Sequence, residues 1–137
     1  MSTYVLDTNV AIAWYIEESF SKSAVNWQER MFSGEVQFVV PSLHRLEFGN
    51  VLRTLVKRTG ITPQEACEIY SLHSHTPLLN IDPSPESLLD TALEYNATVY
   101  DASFIQLALE EQIPLLTAER RTREWVRKLG NLAIHVK

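Results

Sequence analysis

Cysteine and long apolar runs are scarce in this 137-residue chain, and each scarcity excludes a class of protein. Cys67 is the only cysteine, which excludes an internal disulfide and a cysteine-rich zinc site and fits a reducing compartment. The longest apolar run, residues 10–16, has seven residues, whereas a membrane-spanning helix needs about 18. Asp7 interrupts the first apolar stretch, so no export signal is predicted. We therefore expect a cytoplasmic protein without a membrane segment.

Positive charge is also scarce, and its distribution is uneven. The formal net charge is −5, which taken alone predicts repulsion of nucleic acid. Residues 116–137, however, contain six of the 12 basic residues and only two of the 17 acidic ones. This pattern is typical either of a solvated helix face or of a surface that contacts a phosphate backbone. The basic cluster consists of Arg120, Arg121, Arg123, Arg127 and Lys128.

The chain is long enough for one hydrophobic core and too short for two, and no repeat or linker divides it. Residues 1–137 are therefore predicted to form a single domain. Short apolar runs predict strands at residues 3–6, 36–40, 78–81, 114–117 and 133–136. Helices are predicted between them at about residues 10–16, 19–31, 43–60, 62–72, 84–95, 102–111 and 120–129. This alternation predicts a three-layer α/β/α fold with a short, mostly parallel five-stranded sheet.

Four acidic residues lie where such a fold places its chemistry, beyond the carboxyl ends of the strands. Asp7 follows the first strand directly, and Glu119 comes shortly after the fourth. Glu47 lies in the helix after the second strand, between apolar neighbours. Asp101 is predicted to open the helix that follows residues 98–100. Because acids beside buried positions are normally paired or bound to metal, we expect the four to lie close together.

Each acid also has a purely local interpretation. Asp101 has the position of a helix N-cap, and Asp7 that of a turn residue between a strand and a helix. Glu119 can belong to a solvated face with Arg120 and Arg123. Glu47 is harder to explain locally, because the residues on both sides of it are apolar.

Several carboxylates within a few ångströms of one another repel and raise each other's pKa values unless cations neutralise them. A cluster of oxygen ligands alone suits a hard cation, Mg²⁺ or Mn²⁺, rather than zinc. The four histidines do not compete for this role, because they are scattered along the chain. We expect them to be surface residues or hydrogen-bonded core residues. They are His44, His73, His75 and His135.

Four segments of the chain, in order, resemble the successive motifs of PIN domains, and more narrowly those of the VapC ribonuclease toxins of prokaryotic toxin–antitoxin pairs. They are residues 6–9 (LDTN), 46–52 (LEFGNVL), 100–108 (YDASFIQLA) and 115–119 (LLTAE). The resemblance extends over the whole chain. It departs from the family at Glu119, where an Asp is usual. The extra methylene moves the carboxylate outward by about 1.5 Å, which puts the binding of a second metal ion in question.

The resemblance implies an endoribonuclease that hydrolyses RNA phosphodiester bonds with Mg²⁺ or Mn²⁺. It implies Asp7 and Asp101 as direct ligands, Glu47 as a ligand or as the group that orients water, and Glu119 as a ligand to a second ion or an outer acceptor. Asn9 and Thr117 are polar neighbours that could support a carboxylate or contact phosphate. Their local alternatives are a turn residue and the end of a strand.

The basic cluster follows the fourth acid directly, so Arg120, Arg121 and Arg123 are predicted to contact RNA phosphates. The resemblance further implies a homodimer and a cognate, VapB-like antitoxin. The apolar helices at about residues 43–56 and 62–72 are candidates for either interface.

Three other functions remain open at this point. An RNA-processing or DNA-cleaving nuclease would use the same acids without an antitoxin. A catalytically silent module would bind RNA or protein only, and Glu119 is the residue that favours it. A phosphohydrolase with an Asp nucleophile normally has a second Asp two residues later, and Asn9 occupies that position.

Overall fold

The computed structural model describes residues 1–137 and contains five strands and seven α-helices. The strands are β1 (Ser2–Leu6), β2 (Val36–Val40), β3 (Leu79–Asn80), β4 (Leu115–Thr117) and β5 (Ala133–His135). The helices are α1 (Thr8–Ile12), α2 (Ser21–Phe32), α3 (Leu43–Lys57), α4 (Pro63–Ser74), α5 (Leu88–Tyr95), α6 (Val99–Glu111) and α7 (Glu124–Leu129). Short 3₁₀ turns precede α5 and β5. None of the helices has the length and apolar composition needed to span a membrane.

The five strands form one sheet in the order β3-β2-β1-β4-β5, and every neighbouring pair is parallel. The chain first builds outward from β1 through β2 to β3, and then returns to the other side of β1 with β4 and β5. The strand order therefore reverses between β1 and β4, where Val5 pairs with Leu115 and Leu6 with Leu116. In parallel sheets such a reversal opens a crevice at the carboxyl ends of the strands.

Alternate residues of the central strands pack their side chains into two separate hydrophobic cores. Leu6 and Leu116 pack with α1 to α4 on one face of the sheet. Val5 and Leu115 pack with α5, α6 and α7 on the other face. Because strand side chains alternate between faces, a strand that is apolar at every position must be covered on both sides. This arrangement confirms the predicted three-layer α/β/α fold, with a sheet that is entirely parallel.

Several helix boundaries differ by two to four residues from those predicted, and those of α1, α6 and α7 are three of them. α1 ends at Ile12 rather than near Ile16, and the Ser21 hydroxyl contacts the carbonyls of Ala13 and Ile16 at 2.9 and 3.2 Å. The Ser21 hydroxyl thereby satisfies carbonyl groups that have no partner within the helix. The last helix begins at Glu124 rather than at Arg120, because Arg123 has an extended backbone (φ −61°, ψ 133°) that a helix cannot include.

The third difference concerns Asp101, which does not open α6. Thr98 is the N-cap, and its hydroxyl accepts a hydrogen bond from the Asp101 backbone N–H at 3.0 Å. Asp101 is therefore the third residue of the helix, and residues 98–100 belong to the helix start rather than to an extended segment. A threonine that caps a helix three residues ahead of an acid is a common N-terminal arrangement, with the acid stabilised by the helix dipole.

The sheet centre should dominate the stability of the fold. Leu116 is fully buried between β1 and β5, so replacing it with Ala leaves a cavity that we expect to cost about 2–5 kcal/mol of unfolding free energy. Leu93 is 73% exposed on α5, and its replacement with Ala should change stability by less than about 0.5 kcal/mol. Urea unfolding of both variants measures the difference, and equal destabilisation would contradict this core assignment.

Candidate active site

An acidic cleft lies at the carboxyl edge of the sheet, where the strand order reverses. Its volume is about 500 Å³, and its lining includes all four of the acids that the sequence singled out. These acids are Asp7, Glu47, Asp101 and Glu119. Asp7 and Glu119 come from the ends of adjacent strands, Glu47 from α3 and Asp101 from α6. The fold thus gathers side chains that are up to 112 positions apart in sequence.

Asp7 is held at the centre of this cleft by a hydrogen bond on each carboxylate oxygen. Oδ1 accepts from the Thr8 backbone N–H at 2.9 Å, and Oδ2 accepts from the Thr117 hydroxyl at 2.8 Å. Burial raises the pKa of Asp7 to about 7, the Thr117 hydrogen bond opposes the rise, and the charges of Asp101 and Glu47 add to it. Asp7 is therefore an oriented carboxylate that a nearby cation would readily ionise.

Glu47 approaches the cleft from the second turn of α3. Its Oε1 accepts a hydrogen bond from the Thr8 hydroxyl at 3.0 Å. Burial raises its pKa, the Thr8 hydrogen bond lowers it, and the charge of Asp101 raises it further. Thr8 therefore contacts two of the acids, Asp7 through its backbone and Glu47 through its side chain.

Asp101 faces the same cleft from the first turn of α6. Burial raises its pKa, the Arg123 guanidinium lowers it, and the charge of Glu119 raises it. The Arg123 guanidinium lies 4.0 Å from Asp101 Oδ2 and 3.8 Å from Glu119 Oε1. Arg123 thus partly neutralises the acids instead of pointing away from them, and its side chain is 48% exposed, so it remains mobile enough to contact a ligand.

The loop after β4 fixes the position of Glu119. The Thr117 hydroxyl accepts from the Glu119 backbone N–H at 3.0 Å, in addition to donating to Asp7. The Asn9 side-chain oxygen accepts from the Ala118 backbone N–H at 3.2 Å. Asn9 and Thr117 therefore tie this loop to the end of β1. Arg120 and Arg121 are exposed in the turn that follows, at the side of the cleft.

The donor set of the cleft suits a hard cation in its chemistry, since it consists of carboxylate, amide and hydroxyl oxygens. No three of the His, Cys, Asp and Glu side chains converge closely enough to surround a single ion. Magnesium requires less than this, because it usually keeps several waters and binds through one or two carboxylates together with substrate phosphates. The residues therefore fit Mg²⁺ or Mn²⁺ held by two of the carboxylates, and they do not form a closed cage.

The sequence analysis missed three polar residues of this region. Thr8 contacts two acids, and Glu18 and Asn50 line the cleft. Asn50 follows Glu47 by three positions in α3, so helical periodicity placed it on the same face. Thr8 lies between two residues that the analysis did select. Glu18 lies in the loop after α1, where no sequence pattern indicated a position in the cleft.

Comparison with known proteins identifies the family. The family model of the PIN domain matches residues 4–128, so the chain belongs to the PIN domain family. Among the curated proteins, no sequence matches significantly.

Three solved structures are similar to this fold over almost the entire chain. PAE2754 from Pyrobaculum aerophilum is 24% identical, with a TM-score of 0.71, and the match covers 98% of this chain and 84% of that one. VapBC2 from Rickettsia felis, bound to a DNA fragment from its promoter, is 14% identical, with a TM-score of 0.65 and coverage of 98% and 99%. VapC20 from Mycobacterium tuberculosis, a toxin that cleaves the sarcin–ricin loop, is 14% identical, with a TM-score of 0.61 and coverage of 94% and 95%. At these identities the similarity concerns the fold.

The raised pKa of Asp7 predicts how stability depends on pH. A carboxyl group whose pKa rises on folding contributes stability that is fully present below its unfolded pKa, about 3.8, and is lost as the pH rises through about 7. In EDTA, raising the pH from about 4 to 8 should therefore lower the melting temperature of the wild-type protein relative to that of Asp7→Asn by about 3 °C or more. Differential scanning calorimetry of both proteins at several pH values measures this difference.

The control for this experiment is Asp90→Asn, at an exposed position on α5 outside the cleft. Asp90→Asn should retain the wild-type dependence on pH. An Asp7→Asn protein with the same slope as the wild-type protein would show that Asp7 is ionised without cost in the folded state.

Proposed function

We propose that this protein is a metal-dependent endoribonuclease that hydrolyses phosphodiester bonds in RNA. The observation that carries the proposal is the gathering of four carboxylates in one cleft at the strand-order reversal of a PIN domain. The raised pKa values of Asp7, Glu47 and Asp101 support this proposal, because a bound cation would offset the cost of ionising these groups.

Asp7 and Asp101 are the proposed direct ligands of Mg²⁺ or Mn²⁺. A divalent ion in this position would supply a water of lowered pKa and charge to balance the scissile phosphate. Asp7 already has both oxygens oriented by hydrogen bonds, so it can bind with little loss of conformational entropy. Glu47 is proposed as a further ligand or as the group that orients the attacking water, and Glu119 as a ligand to a second ion or as an outer acceptor.

The basic residues give an acidic protein a way to bind a polyanion. Arg123 lies between Asp101 and Glu119, and an arriving phosphate would compete with both carboxylates for its guanidinium group. Arg120 and Arg121 extend the positive charge along the exposed turn beside the cleft. We propose that these three arginines hold the RNA backbone while the acids act on one phosphate.

We further propose that the protein is the toxin of a VapBC-type pair and that a VapB-like antitoxin inhibits it. The supporting observation is that its fold extends, end to end, over the VapBC2 and VapC20 chains. An apolar groove of about 390 Å³ between α3 and α4 offers a surface for a partner helix or for a second subunit. Leu52, Val56, Ala66 and Tyr70 line this groove.

Replacing Asp101 with Asn should abolish cleavage and leave the fold intact, because the substitution removes the charge and keeps the size. We expect 5′-end mapping of total RNA to show discrete new ends with Mg²⁺ or Mn²⁺ and none with EDTA or with Asp101→Asn. Mn²⁺ should also raise the melting temperature of the wild-type protein, since it binds the folded state.

The matched control is again Asp90→Asn, which should cleave like the wild-type protein. Wild-type cleavage by Asp101→Asn, or cleavage in EDTA, would contradict the proposed mechanism. A protein that binds RNA, yields no new ends and gains no stability from Mn²⁺ would instead be a binding module without catalysis.

Replacing Glu119 with Asp should preserve or increase activity, because it restores the residue usual at this position in the family. The backbone N–H of this residue is anchored by Thr117, so the substitution shortens the side chain without moving the loop. A loss of more than about tenfold in kcat/KM, or about 1.4 kcal/mol, would show that the cleft is built around the longer side chain. Glu119→Gln, which keeps the length and removes the charge, separates the two effects.

A further inference from the structure

A continuous chain of hydrogen bonds runs from Glu47 into the hydrophobic core behind the cleft. Its first member is the Thr8 hydroxyl, which lies 3.0 Å from Glu47 Oε1 and 2.9 Å from His44 Nδ1. Thr8 is 5% exposed and His44 is fully buried. Solvent therefore does not compete for the contact between Thr8 and His44.

The chain continues through a second buried histidine. His44 Nε2 lies 2.8 Å from His73 Nε2, and His73 Nδ1 lies 3.0 Å from the Tyr15 hydroxyl. The Tyr15 hydroxyl in turn lies 3.5 Å from the Thr76 hydroxyl. His73 is 2% exposed, and its ring stacks on Phe48 at 4.0 Å with an interplanar angle of 14°. All four imidazole nitrogens thus have a partner, and both rings are held by packing.

Both imidazoles are neutral. Burial lowers the pKa of His44 to about 3, with the charges of His73 and Arg45 adding to the effect. Burial likewise lowers the pKa of His73 to about 4, with Arg45 contributing. A neutral imidazole has one N–H donor and one acceptor nitrogen. In the contact between the two Nε2 atoms, one ring must therefore donate and the other must accept.

The carboxylate at the end of the chain determines the direction of every bond. The Thr8 hydroxyl donates its single proton to Glu47 Oε1, so it must itself accept from the N–H on His44 Nδ1. His44 Nε2 is then an acceptor, and His73 donates to it from Nε2. His73 Nδ1 consequently accepts from the Tyr15 hydroxyl. Each histidine is thereby assigned one tautomer, with the proton on Nδ1 in His44 and on Nε2 in His73.

We propose that His44 and His73 are positioning residues, which hold the Thr8 hydroxyl as a donor to Glu47 and so fix the orientation of this carboxylate at the cleft. The role of Glu47, as a metal ligand or as the group that orients water, rests on the function proposed above. Two buried imidazoles cost desolvation energy that apolar side chains of similar volume avoid. A fully satisfied polar chain in a core instead imposes a single geometry, because every donor is committed to one acceptor.

The tautomers give a direct test on the wild-type protein. Long-range ¹⁵N–¹H NMR of the imidazole nitrogens should show His44 protonated on Nδ1 and His73 protonated on Nε2, without metal or RNA. His75 and His135, which are not part of this chain of hydrogen bonds, appear in the same spectra as references. The opposite tautomer at either residue, or rapid averaging between the two, would overturn the proposal.

Two variants at His73 test whether the chain acts on the cleft. Gln and Met have similar length and volume, and both lose the stacked ring, but only Gln keeps an N–H group that can reach His44 Nε2. In His73→Met, His44 Nε2 should lose its hydrogen-bond donor, so its ¹⁵N resonance should move downfield, and Mn²⁺ affinity, measured by electron paramagnetic resonance, should fall by about tenfold. In His73→Gln, both properties should remain near those of the wild-type protein, with Mn²⁺ affinity within about twofold.

If Mn²⁺ affinity falls equally in the two variants, His73 acts only through core packing. If it falls in neither variant, His73 has no effect on the cleft. Either result overturns the proposal. Thermal unfolding identifies a variant that fails to fold. In that case Thr8→Val interrupts the chain of hydrogen bonds next to Glu47 with little change in side-chain volume. If the wild-type protein cleaves no RNA but the tautomers and the Gln–Met difference are as expected, the proposed function fails and the positioning chain stands.

Discussion

The burial of carboxylates in one cleft, to which their mutual repulsion adds, is the constraint on which the arrangement of this protein depends. Carboxylates gathered in one partly buried cleft lose hydration and oppose each other's ionisation, as the raised pKa values of Asp7, Glu47 and Asp101 show. The protein offsets part of this cost with donors aimed at the acids. Thr117 and the Thr8 backbone bind Asp7, and the Thr8 hydroxyl binds Glu47. The remaining cost is what the proposed divalent cation would relieve.

The parallel sheet makes this gathering possible. All five strands point the same way, so their carboxyl ends meet at one edge, and the reversal of strand order between β1 and β4 opens the cleft there. The two hydrophobic cores hold the strands rigid from both faces, with Leu6 and Leu116 on one side and Val5 and Leu115 on the other. Asp7 and Thr117 thus stand on the least deformable part of the molecule. The basic turn, which must adapt to a ligand, lies instead on the exposed loop after β4.

The buried histidine pair extends the same principle into the core. The nearest hydrogen-bond donor orients an acid at a cleft. That donor is itself held in one orientation only if its other hydrogen bonds have fixed partners. Thr8 meets this requirement from both ends, since its backbone N–H is committed to Asp7 and its hydroxyl lies between Glu47 and His44. The polar chain therefore connects the packing of α3 and α4 to the geometry of the cleft. The donors that satisfy the acids and the side chains that fill the core are in part the same residues.

The sequence by itself determined the layer architecture, because short strands that are apolar at every position require cover on both faces. It also singled out Asp7, Glu47, Asp101 and Glu119, because acids beside apolar residues need partners. The start of α6 follows a local capping pattern, Thr98 three residues ahead of Asp101, that the prediction overlooked, whereas the start of α7 depends on the extended backbone of Arg123. Local pattern could not show the inward position of Arg123 or the contact between two histidines 29 positions apart. Those features were decided by tertiary structure alone, since a hydrogen bond or ion pair depends on distances of a few tenths of an ångström, which only the packing of distant segments sets.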